Sequence, residues 1–246
     1  MADPTEFFMN ATVWQSDALA RKWLSGVRSA IPLQAERLGV TVRLLAMNGR
    51  PVRHFLDLGC GDGVVGAAVL SHWPDAQGVF LDFSPAMLDA ARTRLDSRHV
   101  FVHDDYGDPA WVERISSHAP FDAIVSGFSI HHQEDERKRA IYAEIFSLLA
   151  PGGMFVNIEH VASATPWGSM LFGEDFVDAL FAYHQAAGSQ RTRQELADEF
   201  YNRPDMAANR LAPVELQLGW LREIGFADVD CYSKHFELCV FGGRKP

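Results

Sequence analysis

The stretch His54-Phe55-Leu56-Asp57-Leu58-Gly59-Cys60-Gly61-Asp62-Gly63 constrains this chain more than any other. An apolar strand ends in an acid and breaks into alternating glycines, and Val64 to Leu70 read as the start of a helix. Only glycine lets a backbone turn this tightly and still admit a ligand against it. The helix that follows aims its first N–H groups and its positive dipole end at whatever lies in the turn. The turn therefore suits a ligand that carries a carboxylate or a phosphate.

Two registers fit these glycines. Gly61, Gly63 and Gly66 match G-x-G-x-x-G, with Asp82 following at the spacing of a ribose-binding acid, which is the dinucleotide pattern. The second register is Asp57-x-Gly59-x-Gly61-x-Gly63. An acid at its head suits the ammonium of an amino acid and would repel a pyrophosphate. Further motifs follow in order. Gly78-Val79-Phe80-Leu81-Asp82 is a strand ending in an acid, and Ser84-Pro85-Ala86-Met87 then opens a helix with a hydroxyl at the N-cap and proline after it. Val100 to Tyr106 is a strand running into Asp104 and Asp105, and Phe121 to Gly127 reads as a fourth strand. Leu148-Leu149-Ala150-Pro151-Gly152-Gly153 precedes a strand from Met154 to Ile158.

On these motifs the chain resembles the class I methyltransferases that bind S-adenosylmethionine (SAM) and release S-adenosylhomocysteine (SAH). The resemblance implies that Asp57, Gly59, Gly61 and Gly63 form the cofactor turn. It implies that Asp82 holds both ribose hydroxyls, with Phe83 and Met87 beyond it. Asp105 would accept from the adenine amine, with Asp104 as the other choice, and Tyr106 and Ser126 would border the cofactor. Such families often cover the cofactor with an N-terminal segment, from which Arg28 would meet the methionine carboxylate.

Strands and helices alternate from residue 54 to 159, the pattern of a parallel sheet with helices on both faces. The expected fold is α/β: a Rossmann-like, doubly wound, seven-stranded and mostly parallel sheet with a terminal antiparallel hairpin. Residues 1–50 would form an N-terminal helical cover. One helix is capped by Ser16 and carries Leu19, Trp23, Leu24 and Val27; a second, after Pro32, buries Leu38, Val42 and Leu45. Residues 51–160 and 213–246 would form the core. Residues 161–212 read as a helical insertion, with Phe172, Phe176 and Leu180 at helical spacing and a second helix at Leu196 and Phe200. It is either a lid over the substrate or a packing surface for a homodimer. Pro213 starts a helix that ends near Gly225, and strands Phe226 to Tyr232 and Phe236 to Phe241 close the hairpin around Ser233-Lys234-His235.

Composition bounds the partners. A net charge of −10 repels a phosphate backbone unless basic groups are concentrated. The clusters are small: Arg137, Lys138 and Arg139 read as a solvated helix face, and Arg191 and Arg193 follow the first insertion helix. Nucleic acid is therefore a poor partner and a small-molecule acceptor the expected one. No apolar run reaches membrane-spanning length, and Met1 to Glu6 lacks a basic signal-peptide start. Cys60, Cys231 and Cys239 show no metal-type spacing and read as core thiols of a cytoplasmic protein.

Methyl transfer from a sulfonium is an in-line displacement, in which the protein supplies alignment and desolvation. A base is needed only for an acceptor that is protonated at rest. The candidates are His131 and His132 after the fourth strand, and Glu159 and His160 after the fifth. A histidine titrates near neutrality and takes a proton from a hydroxyl or amine. Adjacent side chains should diverge, so one of the two histidines should face the ligand, and the Glu159 carboxylate would orient either a histidine or an amine acceptor. Ser126 and Ser129 have no nucleophile-elbow context. No metal is expected from the spacing of these groups. Phe7, Phe8, Trp14, Phe172, Phe176, Phe181 and Tyr183 are candidates for an apolar acceptor pocket.

The expected function is methyl transfer from SAM to O, N or S of a small molecule. The layout is also similar to carboxy-SAM synthase of tRNA wobble-uridine modification, in chain length, in the insertion after the fifth strand and in the aromatic last strand. The arginine that family carries late in its last helix aligns near Trp220, with Arg222 two positions on. A non-catalytic SAM-binding subunit is a third reading, and a nicotinamide dehydrogenase, resting on the overlapping glycines, a fourth.

Overall fold

The structure is a computed structural model and describes residues 30–203, 206 and 208–246. The described residues divide into two units, one of 35–162 with 210–246 and one of 30–34 with those described between 163 and 209. The first helix expected from Ser16, together with Arg28, Phe7, Phe8 and Trp14, lies outside the described residues.

The larger unit is built on a seven-stranded sheet of order β3-β2-β1-β4-β5-β7-β6. In chain order its parts are α1 (Gln34–Met47), β1 (His54–Leu58), α2 (Val64–His72), β2 (Gln77–Asp82), α3 (Pro85–Arg94), β3 (Val100–His103) and α4 (Trp111–Ile115). There follow β4 (Phe121–Gly127), α5 (Asp135–Leu148) and β5 (Leu149–His160), then α8 (Val214–Ile224), β6 (Ala227–His235) and β7 (Leu238–Arg244). The strands β1 to β5 pair in parallel, and β7 runs antiparallel between β5 and β6. This is the Rossmann-like α/β fold.

Because successive strand residues face opposite sides, the sheet is apolar on both. Leu56, Leu58, Val79, Leu81 and Phe155 pack with α4, α5 and α8 on one face. Phe55, Phe80, Val125 and Val156 pack with α1, α2 and α3 on the other. The order reverses between β1 and β4: the chain first winds outward to β3 and then returns to the other side. Loops at such a switch leave a crevice at the C-terminal strand ends.

Several local expectations shift. α1 buries Arg37, Thr41 and Leu45, a polar stripe, while Leu38 and Val42 are only half-buried. The terminal hairpin turns at Phe236-Glu237 and not at Ser233 to His235, because Phe236 takes φ +50° and register slips at Cys231 to Ser233 lengthen β6. β5 is longer than Met154 to Ile158, since a slip against β4 lets Leu149 pair with Phe121. In the basic cluster on α5 only Arg139 is solvated. Lys138 is fully buried, its ammonium held by Asp135 (2.7 Å) and the Arg210 carbonyl, while Arg137 binds Glu144 (2.7 Å) and the Tyr106 carbonyl (2.6 Å). Charges can sit inside only when so paired.

The second unit contributes α6 (Pro166–Ala186) and α7 (Arg193–Tyr201). α6 buries Phe172, Phe176 and Leu180 at helical spacing, and α7 buries Leu196 and Phe200. The Phe176 and Phe200 rings stack at 4.9 Å. Thr192 and Glu195 form a reciprocal capping box that fixes where α7 starts.

Candidate active site

The glycine turn takes the backbone the sequence demands. Gly59, Gly61 and Gly63 have φ of +65°, +55° and +77°, the left-handed region. Gly59 is also sterically closed: a Cβ there would lie 1.9 Å from Ser129 Oγ. At Gly66 a Cβ would meet the Phe80 ring at 2.2 Å. The turn thus presents bare backbone at the N-terminus of α2.

Two acids hold the turn. Asp57, fully buried, accepts the Gly66 N–H at 2.8 Å and ties α2 to the end of β1. Asp82 accepts Gly61 N–H at 2.8 Å through Oδ2 and Ser84 N–H at 2.8 Å through Oδ1. Each carboxylate oxygen has further lone pairs, so these bonds leave Asp82 able to accept from ligand hydroxyls. Phe83 and Met87 are half-buried beside it. Beyond β3 the two candidate adenine acids part. Asp104 is taken up by Arg114, at 2.5 and 2.7 Å, whereas Asp105 is exposed and bonds locally to Gly107 N–H at 2.7 Å.

Tyr106 is buried and its hydroxyl lies 2.6 Å from Ser129 Oγ, beside Gly59; burial holds the phenol neutral by raising its pKa. Ser126 is fully buried and donates its hydroxyl to the Leu58 carbonyl at 2.8 Å, so it pins β4 to β1. Arg37 of α1 is buried and lies over the Phe128 ring at 5.8 Å; burial lowers its pKa to about 10.

The acid–base candidates converge at the ends of β4 and β5. His131, in the single turn Ile130–His132, places Nδ1 2.6 Å from Glu159 Oε1. Glu159 also accepts the His160 N–H at 2.9 Å and the Asn157 amide at 3.2 Å. Fully buried, its carboxyl is pushed up to about 7, and the bonds from His160 and Asn157 oppose that rise. His160 in turn lies 2.9 Å from Glu237, itself buried. The His131 and His132 rings do not diverge as expected: their centroids lie 4.0 Å apart at 51°. Of the two, only His131 is deeply buried.

Sequence reading did not assign Asn157, Glu237 or the Tyr106–Ser129 pair. Asn157 carried a signal, a lone amide in an apolar strand and two residues from Glu159. Trp220, where the carboxy-SAM synthase arginine aligns, packs in the core against Tyr142 at 6.5 Å, and Arg222 donates to the Val229 carbonyl. Among the described residues no helix is long and apolar enough to cross a membrane, and no group of three or more His, Cys, Asp or Glu is placed to hold a metal.

Residues 55–153, from β1 to the start of β5, match the model of a methyltransferase domain. Residues 55–153 are thus similar to a methyltransferase domain, and the fold is the one that SAM-dependent methyltransferases share. A trans-aconitate 2-methyltransferase of Acidovorax ebreus is 37% identical over 122 residues, which is 49% of this chain and 44% of that protein. A demethylmenaquinone methyltransferase of Leptospira interrogans is 34% identical over 116 residues, 46% of this chain and 45% of that protein. The chain thus spans a little under half the length of these two relatives. An O-methyltransferase family protein of Burkholderia thailandensis shares the fold with a TM-score of 0.65 at 20% identity, over 97% of this chain and 63% of that one. Solved chains of this fold include complexes with SAM and with SAH. In this fold the turn, Asp82 and the His131–Glu159 pair all stand at the C-terminal ends of the strands.

Proposed function

We propose that this protein transfers a methyl group from SAM to a hydroxyl of a small organic acceptor. The observation that carries the reading is the buried His131–Glu159 pair, 2.6 Å apart, at the same strand ends as the glycine turn. A pair built this way has little use with an acceptor that is already nucleophilic as it stands, such as a carboxylate or a neutral amine. It suits one that must lose a proton.

The turn fits the cofactor. Gly59, Gly61 and Gly63 would face the amino-acid end with bare backbone, Asp82 would accept from the ribose hydroxyls, and Asp105 would take the adenine amine. Arg28, Phe83, Met87, Tyr106 and Asp57 remain proposed neighbours of that ligand. When bound, SAM supplies a methyl group on a positively charged sulfur. His131 takes the acceptor's proton at Nε2. Glu159 accepts from Nδ1–H, which fixes the tautomer and stabilises the imidazolium that forms, as the third member of a triad does. Core packing keeps water from the carboxylate. The names of the relatives, trans-aconitate and demethylmenaquinone methyltransferases, support a small-molecule acceptor.

The test is turnover of methyl-labelled SAM with a panel of phenols, carboxylic acids and amines, for wild type and His131→Ala. The expected result is labelled product from hydroxyl acceptors, a loss on the order of 100-fold or more in the variant, and a rate that rises through about pH 7. Retention of SAM with no SAH formed from any acceptor would point instead to a binding subunit. Carboxy-SAM formed from added prephenate would point to the synthase.

A further inference from the structure

Asn157 stands two residues before Glu159 on β5, so the two side chains leave the same face of the sheet. It is fully buried in Met154-Phe155-Val156-Asn157-Ile158, where each of its neighbours is apolar. Its Nδ2 donates to Glu159 Oε2 at 3.2 Å, while its Oδ1 is buried without a hydrogen-bond partner. Turned over, the amide would set that oxygen against a carboxylate, which accepts only. The orientation is therefore dictated by Glu159 and not by the surrounding core.

The amide is backed from behind. Tyr142 of α5 interacts with the Asn157 side chain, and its hydroxyl donates to Gln217 Oε1 of α8 at 2.5 Å. Gln217 Nε2 then donates to the Ala212 carbonyl at 3.1 Å. Gln217, Tyr142, Asn157 and Glu159 are all buried, and the string crosses the apolar layer between the sheet and α5 and α8. Apolar residues would fill that layer with no orphaned oxygen, whereas this string leaves Asn157 Oδ1 unmet and directs the Nδ2 donor at Glu159.

We infer that Asn157, braced by Tyr142 and Gln217, is a positioning residue that holds Glu159 as a carboxylate beneath His131. This rests on the reading of His131 as the base. The other titratable groups around Glu159 come from every neighbouring element: His131 and His132 from the turn after β4, and His160 from β5. Tyr106 follows β3, Tyr142 stands on α5 and Cys239 on β7. The charges of His132 and His160 favour an ionised Glu159, while burial holds Tyr106 and Tyr142 neutral, and the hydrogen bond with Cys231, with burial, holds Cys239 neutral. Among the uncharged side chains, Asn157 is the donor that reaches Oε2.

The test follows the Glu159 carboxyl carbon by NMR across pH in full-length protein labelled at glutamate Cδ, with the signal assigned through Glu159→Gln. In Asn157→Leu, close in volume and apolar, the midpoint rises, so that the ionised-to-neutral ratio near neutrality falls roughly tenfold. Tyr142→Phe moves it the same way by less. A midpoint unmoved in both variants leaves Asn157 a packing role and overturns the inference. If Asn157→Leu does not fold, Tyr142→Phe decides alone. No acceptor enters this titration. An unaltered rate in His131→Ala would remove the base reading by a separate route.

Discussion

Replacing Glu159 by glutamine removes a buried charge with almost no change in volume, and the structure sets the size and sign of the result. Folding lifts the Glu159 carboxyl from its usual 4.5 to about 7 through burial. At about 1.4 kcal/mol per pH unit this corresponds to about 3 kcal/mol in full. The folded state binds the proton more tightly than the unfolded chain. Stability from this group is therefore complete below about pH 4.5, is lost as pH rises to about 7, and changes no further above that. Glutamine does not titrate. Urea denaturation of both proteins at pH 5, 6, 7 and 8 isolates the difference. Wild type should lose about 2–3 kcal/mol relative to Glu159→Gln between pH 5 and 8, with equal denaturant slopes. The more stable variant should also be the slower methyltransferase at pH 8, because a neutral amide no longer stabilises the His131 imidazolium. Parallel stability curves across that range would show that burial does not raise this carboxyl, and would refute the reasoning.

Three further outcomes follow from named contacts. Asp82→Ala should weaken SAM binding in calorimetry by on the order of 1–3 kcal/mol, since it strands ribose hydroxyls; unchanged affinity would assign the ribose to another acid. Gly59→Ala should destabilise the fold by about 2–4 kcal/mol in thermal or urea unfolding, whereas Gly49→Ala should cost only about 1 kcal/mol. Both positions have positive φ, but a Cβ at Gly59 overlaps Ser129 while one at Gly49 meets nothing within 4 Å, so equal losses would mean that the contact with Ser129 yields freely. Lys138→Met should cost about 2–3 kcal/mol in urea, because the Arg210 carbonyl and Asp135 lose a buried partner; a neutral result would mean water replaces the ammonium.

The cofactor turn was legible in the sequence because its demands are local. Alternating glycines require left-handed backbone at 59, 61 and 63, and Ser84-Pro85 marks a helix start; both hold in isolation from the rest of the fold. The mostly parallel sheet with its antiparallel ending was legible too, since alternation of strand and helix admits few other arrangements. Other features depend on residues far apart in the chain. Lys138 looked like part of a solvated face because helical periodicity cannot show that a carbonyl 72 residues later waits above it. Likewise, the position of Ser126 at a strand end does not reveal its bond back to Leu58.

The His131–Glu159 pair divides along the same line. That a histidine and an acid should leave adjacent strands was written in the order of motifs. That His131 and not His132 meets Glu159, that the carboxyl is buried deeply enough to titrate near neutrality, and that Asn157 and Tyr142 stand behind it were decided only by tertiary packing. Backbone conformation follows from the few residues that bracket each bond, so sequence fixes it locally. Side-chain contact and burial depend on which distant surfaces close over a group, and for this protein those surfaces are α5, α8 and β7.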